Sequence, residues 1–180
     1  VRFANGRDAR GDIIVSAMDG RATIFDLLGG KFINQEIRES YEKPDLSPSR
    51  IQVSIGVNRA FEDDFPARKV ILDAPYKLHD GSVHPYIEVM RFSQMAGGKK
   101  KALFRVQMET KFASYWWMLR KTERDRYKNE KSEIAAWVAG VIDGRVCPIM
   151  GDIEMTNVTT PATYIRCTGN WRGAVMGWGS

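Results

Sequence analysis

Residues 51–58 read IQVSIGVN. Ile51, Val53, Ile55 and Val57 alternate with Gln52, Ser54, Gly56 and Asn58. Successive side chains of a β-strand point to opposite faces, so the alternation describes a strand with one face buried and the other turned to polar surroundings. Such a strand needs neighbours for its backbone and a covering layer for its apolar face, which commits the chain to a sheet packed against something else.

The neighbours are legible on the same grounds. Lys69 to Ala74 is another short strand. Val83 to Ser93 and Lys101 to Lys111 flank Gly97-Gly98 and read as a long hairpin, with Leu103, Val106 and Met108 as the apolar set among Arg105, Gln107 and Glu109. The middle of the chain is thus predicted to be a mostly antiparallel sheet of about four strands. Glu123 to Val141 reads as a long helix, polar at first and then apolar (IAAWVAGVI), ended by Asp143-Gly144. Cys147 to Thr160 is strand-like, with Ile153, Met155 and Val158 as inward positions. Upstream, VRFANGRDARGDIIVSAMD predicts a strand, a turn and a second, fully buried strand over residues 12–17. Asp19 then caps a helix over residues 21–28, which Gly29-Gly30 ends. KPDLSPS (residues 43–49) is a linker between subdomains. The fold class is α+β.

Composition sets outer limits. The 180 residues suffice for one core, or one and a small appendage. No apolar run is long enough to span a bilayer, and residues 1–12 contain no secretory h-region. Two cysteines, Cys147 and Cys167, argue against a disulfide scaffold and for a reducing, cytoplasmic setting. The net charge is +5, but the basic residues do not form a stripe. Lys99 to Lys101 follow a turn, and Arg120 to Lys131 mix both signs as a solvated helix face does, so no nucleic-acid partner is expected. Tyr115 to Leu119 (YWWML) beside Lys111, Arg120 and Lys121 reads first as packing between elements. Were the patch exposed, it would suit peripheral contact with a membrane.

Catalytic chemistry is sparse. His79 and His84 flank Asp80-Gly81, with Asp73 and Glu88 nearby, a spacing that fits a hairpin turn better than a metal centre. There is no phosphate-binding loop, no G-x-G-x-x-G, no nucleophile elbow and no Cys-x-x-Cys pair. What stands out is the Gly/Asn/Trp-rich stretch TPATYIRCTGNWRGAVMGWGS at residues 160–180.

That stretch carries a resemblance. Thr160, Pro161, Thr163, Tyr164, Thr168, Gly169, Asn170, Gly173, Ala174, Gly177 and Trp178 follow the order of the "TP-x-T…Y-T-G-N…G-A-x-Y-G-W" element of phytoene-desaturase-like and carotenoid-isomerase-like FAD-dependent oxidoreductases. Met176 stands at the usual tyrosine, and Arg166-Cys167 at a commoner Arg-Tyr pair. IIVSAMDGRATIFDLLGG and SRIQVSIGVNRAF are similar to two earlier segments of that family, so the resemblance runs over essentially the whole chain.

The resemblance implies three parts: residues 1–45 as a strip of the FAD-binding domain with a remnant strand pair, 46–158 as the substrate-binding domain, and 159–180 as a return toward the FAD domain. It implies an internal fragment, with FAD bound mainly by parts of a longer protein. Ser16, Ala17, Asp19, Gly173, Gly177 and Trp178 are then expected at the cofactor. Thr160, Pro161, Tyr164, Asn170 and Trp171 are expected at an apolar polyene or lipid-like substrate held in a tunnel with the sheet as one wall. No catalytic residue is implied, since the flavin supplies the redox chemistry. The alternative is a cofactor-free lipid- or protein-binding α+β domain. Neither reading names an oligomeric state.

Overall fold

The computed structural model describes residues 1–3, 5–42, 48–62, 65–96 and 99–175. The alternating stretch forms β1 (Ser49–Val57), in which buried and half-buried residues take strict turns. With β2 (Ala67–Lys77), β3 (Val83–Ala96), β4 (Lys99–Thr110) and β5 (Ile153–Thr159) it makes a five-stranded sheet in the order β2-β3-β4-β1-β5. Every neighbouring pair is antiparallel. This is an α+β architecture, as expected, with the four central strands joined by β5 from the strand-like segment 147–160.

Register decides which side chains share a face. Ile51 lies opposite Met108, Val53 opposite Val106 and Ile55 opposite Phe104. Val158 on β5 joins Val53, and Val89 on β3 joins Val106. All are buried, so they form the core face. α2 (Ala113–Thr122) and α3 (Arg124–Arg145) cover it. Tyr127, Ile134, Val138 and Ile142 recur at helical spacing and give α3 one buried stripe. At about 1.5–3 kcal/mol per fully buried large apolar side chain, this layer is the main source of stability.

Several expectations need correcting. Leu103 lies opposite Gly56, on the other face, and the inward residues of β4 are Ala102, Phe104, Val106 and Met108. Apolar residues at 102, 103 and 104 in succession blur the period, and the small Ala102 is the true inward member. Met155 also lies opposite Gly56 and is exposed, while Ile153 is half-buried. The long helix, α3, begins at Arg124 as expected, but a further helix, α2, precedes it with only Glu123 (φ −135°, ψ 63°) between them. Trp116 and Leu119 point into the core, Tyr115 and Trp117 pack against it, and Met118 is exposed, so the aromatic run is mainly packing. α3 runs on to Arg145. Asp143 does not stop it but accepts hydrogen bonds from the Ile149 (2.7 Å) and Met150 (2.9 Å) amides, which hold its carboxyl below the usual carboxylate range.

Residues 12–17 form no strand. Ile13, Ile14 and Val15 are 85%, 61% and 87% exposed, and the expected strand pair reduces to a single bridge between Arg2 and Asp8. An apolar run states what would gain from burial, but a strand also needs a partner for its backbone groups, and none pairs with this one among the described residues. The helix after Asp19 is a π-helical turn (Ala22–Leu27), followed by Gly29 and Gly30 at φ +64° and +68°. α1 (Gln35–Glu42), unforeseen from the sequence, is started by Asn34, whose Oδ1 accepts the Ile37 amide at 2.9 Å. The residue 43–49 linker lies outside the described residues except for Pro48's position and Ser49, which opens β1.

A polar network joins α2 to α3. The Tyr115 hydroxyl donates to both carboxylate oxygens of the buried Glu130 (2.7 and 2.8 Å), and Arg126 Nε donates to the same carboxylate at 2.9 Å. Burial first, and then the Glu130 carboxylate, push the Tyr115 phenol from 10.0 up to about 12. A raised folded-state pKa contributes stability that is complete below the unfolded value and is lost as pH rises through the folded one. Urea midpoints are therefore expected to fall between pH 10 and about 12 in the parent chain. The fall should be smaller in Tyr115→Phe, and equal slopes would remove this phenol as the cause.

Candidate functional site

The face of the sheet opposite the core is not packed by α2 or α3, and its side chains are half-exposed or exposed. Pairing sorts them into rows across the strands. Phe92, Leu103, Gly56 and Met155 make an apolar row. Next come Met90, Arg105, Ser54 and Asn157, then Gln107, Gln52 and Thr159, and last Glu109 and Arg50. Rows are two residues apart, so from Gly56 to Arg50 the face runs from apolar to charged over about 20 Å.

The polar end is ordered. Arg50 Nη1 donates to Gln107 Oε1 at 2.9 Å, Gln107 Nε2 to Gln52 Oε1 at 2.8 Å, and Gln52 Nε2 to Ser54 Oγ at 3.3 Å. Arg105 lies over the Phe92 ring, 4.6 Å from its centroid. Among the described residues neither Arg50 nor Arg105 forms an ion pair, and the Nε of each is buried without a hydrogen-bond partner. Such a buried orphan costs about 1–3 kcal/mol.

α4 (Pro161–Thr168) stands beside this face. The sequence signals for it are strong: Thr160 and Thr163 form a capping box, Pro161 takes the first turn, and Gly169 closes it at φ +69°. Thr160 and Pro161, expected at a substrate, are buried, and the Thr160 hydroxyl is bonded to the Tyr127 hydroxyl at 2.8 Å. Their part is to start the helix that carries Tyr164. The half-buried Tyr164 phenol is pushed up by burial, an effect that the charges of Arg50 and Arg105 partly offset.

Behind α4 the chain turns back on the N-terminal segment. Asp19 Oδ1 accepts the Ala22 amide and Oδ2 the Trp171 amide, both at 3.1 Å, which joins segments 152 residues apart. Arg21 stacks on the Trp171 ring at 4.0 Å, and the buried Trp171 Nε1 has no partner. Asn170 Nδ2 donates to the Ala174 carbonyl at 2.8 Å, so this side chain braces its own turn. Gly173 (φ +70°) is buried against Pro161 and Ser49, not turned to open space. Ser16 and Ala17 are exposed, Ser16 Oγ lying 2.7 Å from Thr23 Oγ1. Gly177 and Trp178 lie outside the described residues. The structure therefore brings together Asp19, Asn170, Trp171 and Gly173 at one corner, with Tyr164 on the next helix facing the sheet. Arg50, Gln52, Arg105 and Gln107 were not singled out as site residues, because they read as ordinary outward positions of strands.

Asp19→Ala leaves the Ala22 and Trp171 amides without their acceptor, at about 1–2 kcal/mol locally. Hydrogen exchange at these two amides and tryptic cleavage after Arg21 are expected to speed up about tenfold, and unchanged protection would show that Asp19 is not the clip.

Other groupings bring no comparable chemistry together. His79 Nε2 lies 2.7 Å from Glu133 Oε2, and among the described residues no three His, Cys, Asp or Glu side chains are grouped as metal ligands would be. Cys147 and Cys167 are not joined in a disulfide. A depression between α3 and β5, lined by Lys131, Ala135, Ala139, Ile153 and Asn157, has mainly small or apolar walls. Among the described residues no helix is long and apolar enough to cross a membrane. No protein-family model matches the chain, and no curated protein matches it.

Proposed function

We propose that the chain is the substrate-binding part of an FAD-dependent oxidoreductase acting on a long apolar substrate by desaturation, saturation or isomerisation. The observation that carries the reading is the corner where residues 16–23 meet residues 170–174. The family resemblance assigns the first segment to the cofactor and divides the second between cofactor (Gly173) and substrate (Asn170, Trp171), and the two are clipped together through Asp19 and Trp171. The adjoining run Ile13 to Val15 is open to solvent, as suits a surface that a further domain covers.

The corner fits a flavin in part. Trp171 Nε1 is a buried donor with no partner, and the exposed Ser16 and Ala17 leave room for a planar ring or its linker. Asp19 and Gly173 are engaged within the protein and serve as scaffold. A bound FAD would supply the electron transfer, while this chain's residues bind and orient the substrate and exclude water. The reading carries with it a cytoplasmic protein, peripheral to a membrane at most.

The test is flavin content of the protein expressed from the complete reading frame. Yellow protein releasing about one FAD per chain on denaturation is expected, whereas the 180-residue chain alone should retain none. A colourless, folded full-length protein that FAD does not reconstitute would overturn the reading in favour of a cofactor-free binding domain.

A further inference from the structure

We infer that the open face of the sheet binds an amphiphile with a carboxylate at one end: a long-chain acid, not a pure hydrocarbon. As a statement about substrate, this deepens and rests on the oxidoreductase reading. As a statement about binding, it stands on the sheet alone.

The face has the shape of such a ligand. The apolar row Phe92, Leu103, Gly56 and Met155 offers a bed for an alkyl or polyene body. Gly56 keeps that bed low, and the Met155 side chain, which folds over it, is flexible enough to follow a ligand's contour. A hydrocarbon would find all it needs there. One long enough to run on along the strands would also cover Arg105, the glutamine pair and Arg50, burying two cations without an anion.

The two arginines explain what the other end requires. Gln107 occupies Nη1 of Arg50, which leaves the Nε–Nη2 edge of the guanidinium, the edge that matches the two oxygens of a carboxylate. Its Nε is buried and unpartnered, as is that of Arg105. Glu109 lies opposite Arg50 in register, yet the two form no ion pair. The Tyr164 phenol, within the field of both arginines, adds a hydroxyl donor. Two guanidinium groups, a phenol and an apolar strip along one sheet face are complementary to a carboxylate on a long apolar body.

The experiment is titration of the 180-residue chain, below the micellar concentration, with oleic acid, its methyl ester and acetate, followed by calorimetry. Oleate is expected to bind at least about tenfold tighter than the ester, the effect of one charge-assisted pair, and acetate not measurably. Arg50→Gln with Arg105→Gln should abolish the preference for acid over ester while leaving ester binding unchanged. Retained ester binding also shows that the variant is folded. Tyr164→Phe should weaken oleate alone by a few-fold. Leu103→Glu, placed in the apolar row, should weaken acid and ester together. Equal binding of acid and ester by the parent chain, no binding of either, or an undiminished preference in the double variant would overturn the inference. Flavin in the full-length protein is scored separately. Oleate binding without flavin would leave this site and remove the oxidoreductase reading, and flavin without oleate binding would do the reverse.

Discussion

Replacing Asp80 by alanine is expected to cost about 4 kcal/mol of folding stability, enough to bring a domain of ordinary stability close to unfolding. Asp80 sits in the turn between β2 and β3 and is buried. Its Oδ1 accepts the amide of Ser82 at 2.9 Å and the Ser82 hydroxyl, which shapes the turn beside Gly81 at φ +94°. Its Oδ2 accepts the Thr110 hydroxyl and the Trp116 indole N–H, both at 2.7 Å. One carboxylate thus ties the β2–β3 turn to the end of β4 and to the most deeply buried side chain of α2. Alanine leaves the indole and the hydroxyl without an acceptor in a dry interior, at about 1–3 kcal/mol each, and removes the turn's own bonds as well. Asp80→Asn is a sharper probe. It keeps one acceptor oxygen but turns an amide donor toward one of the two donor pairs, so it should still lose about half as much. Urea denaturation measures both. A loss under about 1 kcal/mol for alanine would mean that water replaces the carboxylate and that the turn is not a hub.

What could be read in advance divides by physical cause. β1 was legible because a two-residue period over eight positions has few other meanings. The failures are of another kind. Residues 12–17 have the composition of a buried strand, but burial and pairing depend on what lies alongside, which no local pattern states. α2 was missed because Phe112 provides no side-chain cap and Glu123, neither Gly nor Pro, makes the break. Asp80 looked like a turn residue or a distant metal ligand, because its partners Thr110 and Trp116 lie some thirty residues away. The polar end of the open face is the plainest case. Arg50, Gln52, Arg105 and Gln107 each look like solvent-side residues of a strand, and only the register of β1 against β4 puts them in successive rows, with Tyr164 beside them.

Gly173→Ala is expected to cost about 3 kcal/mol, and Gly169→Ala only about 1. Both glycines have left-handed backbone, at φ +70° and +69°, so both substitutions carry the same conformational penalty. They differ in their surroundings. A Cβ on Gly169 would meet nothing within 4 Å, whereas one on Gly173 would lie 3.0 Å from the Pro161 carbonyl oxygen and 3.2 Å from Ser49 Oγ. The first of these atoms belongs to the start of α4 and has no rotamer into which it can retreat. The second donates its hydrogen bond to the Gly173 carbonyl, so moving it breaks the link between β1 and the returning chain. The difference between the two variants isolates the close approach from the backbone strain, and equal costs would show that α4 yields. Ser49 precedes Arg50, and Gly173 follows Trp171 by two residues. A wedge here is therefore expected to speed hydrogen exchange at the Trp171 amide and to weaken oleate binding together, whereas Gly169→Ala, outside the packed corner, should alter neither.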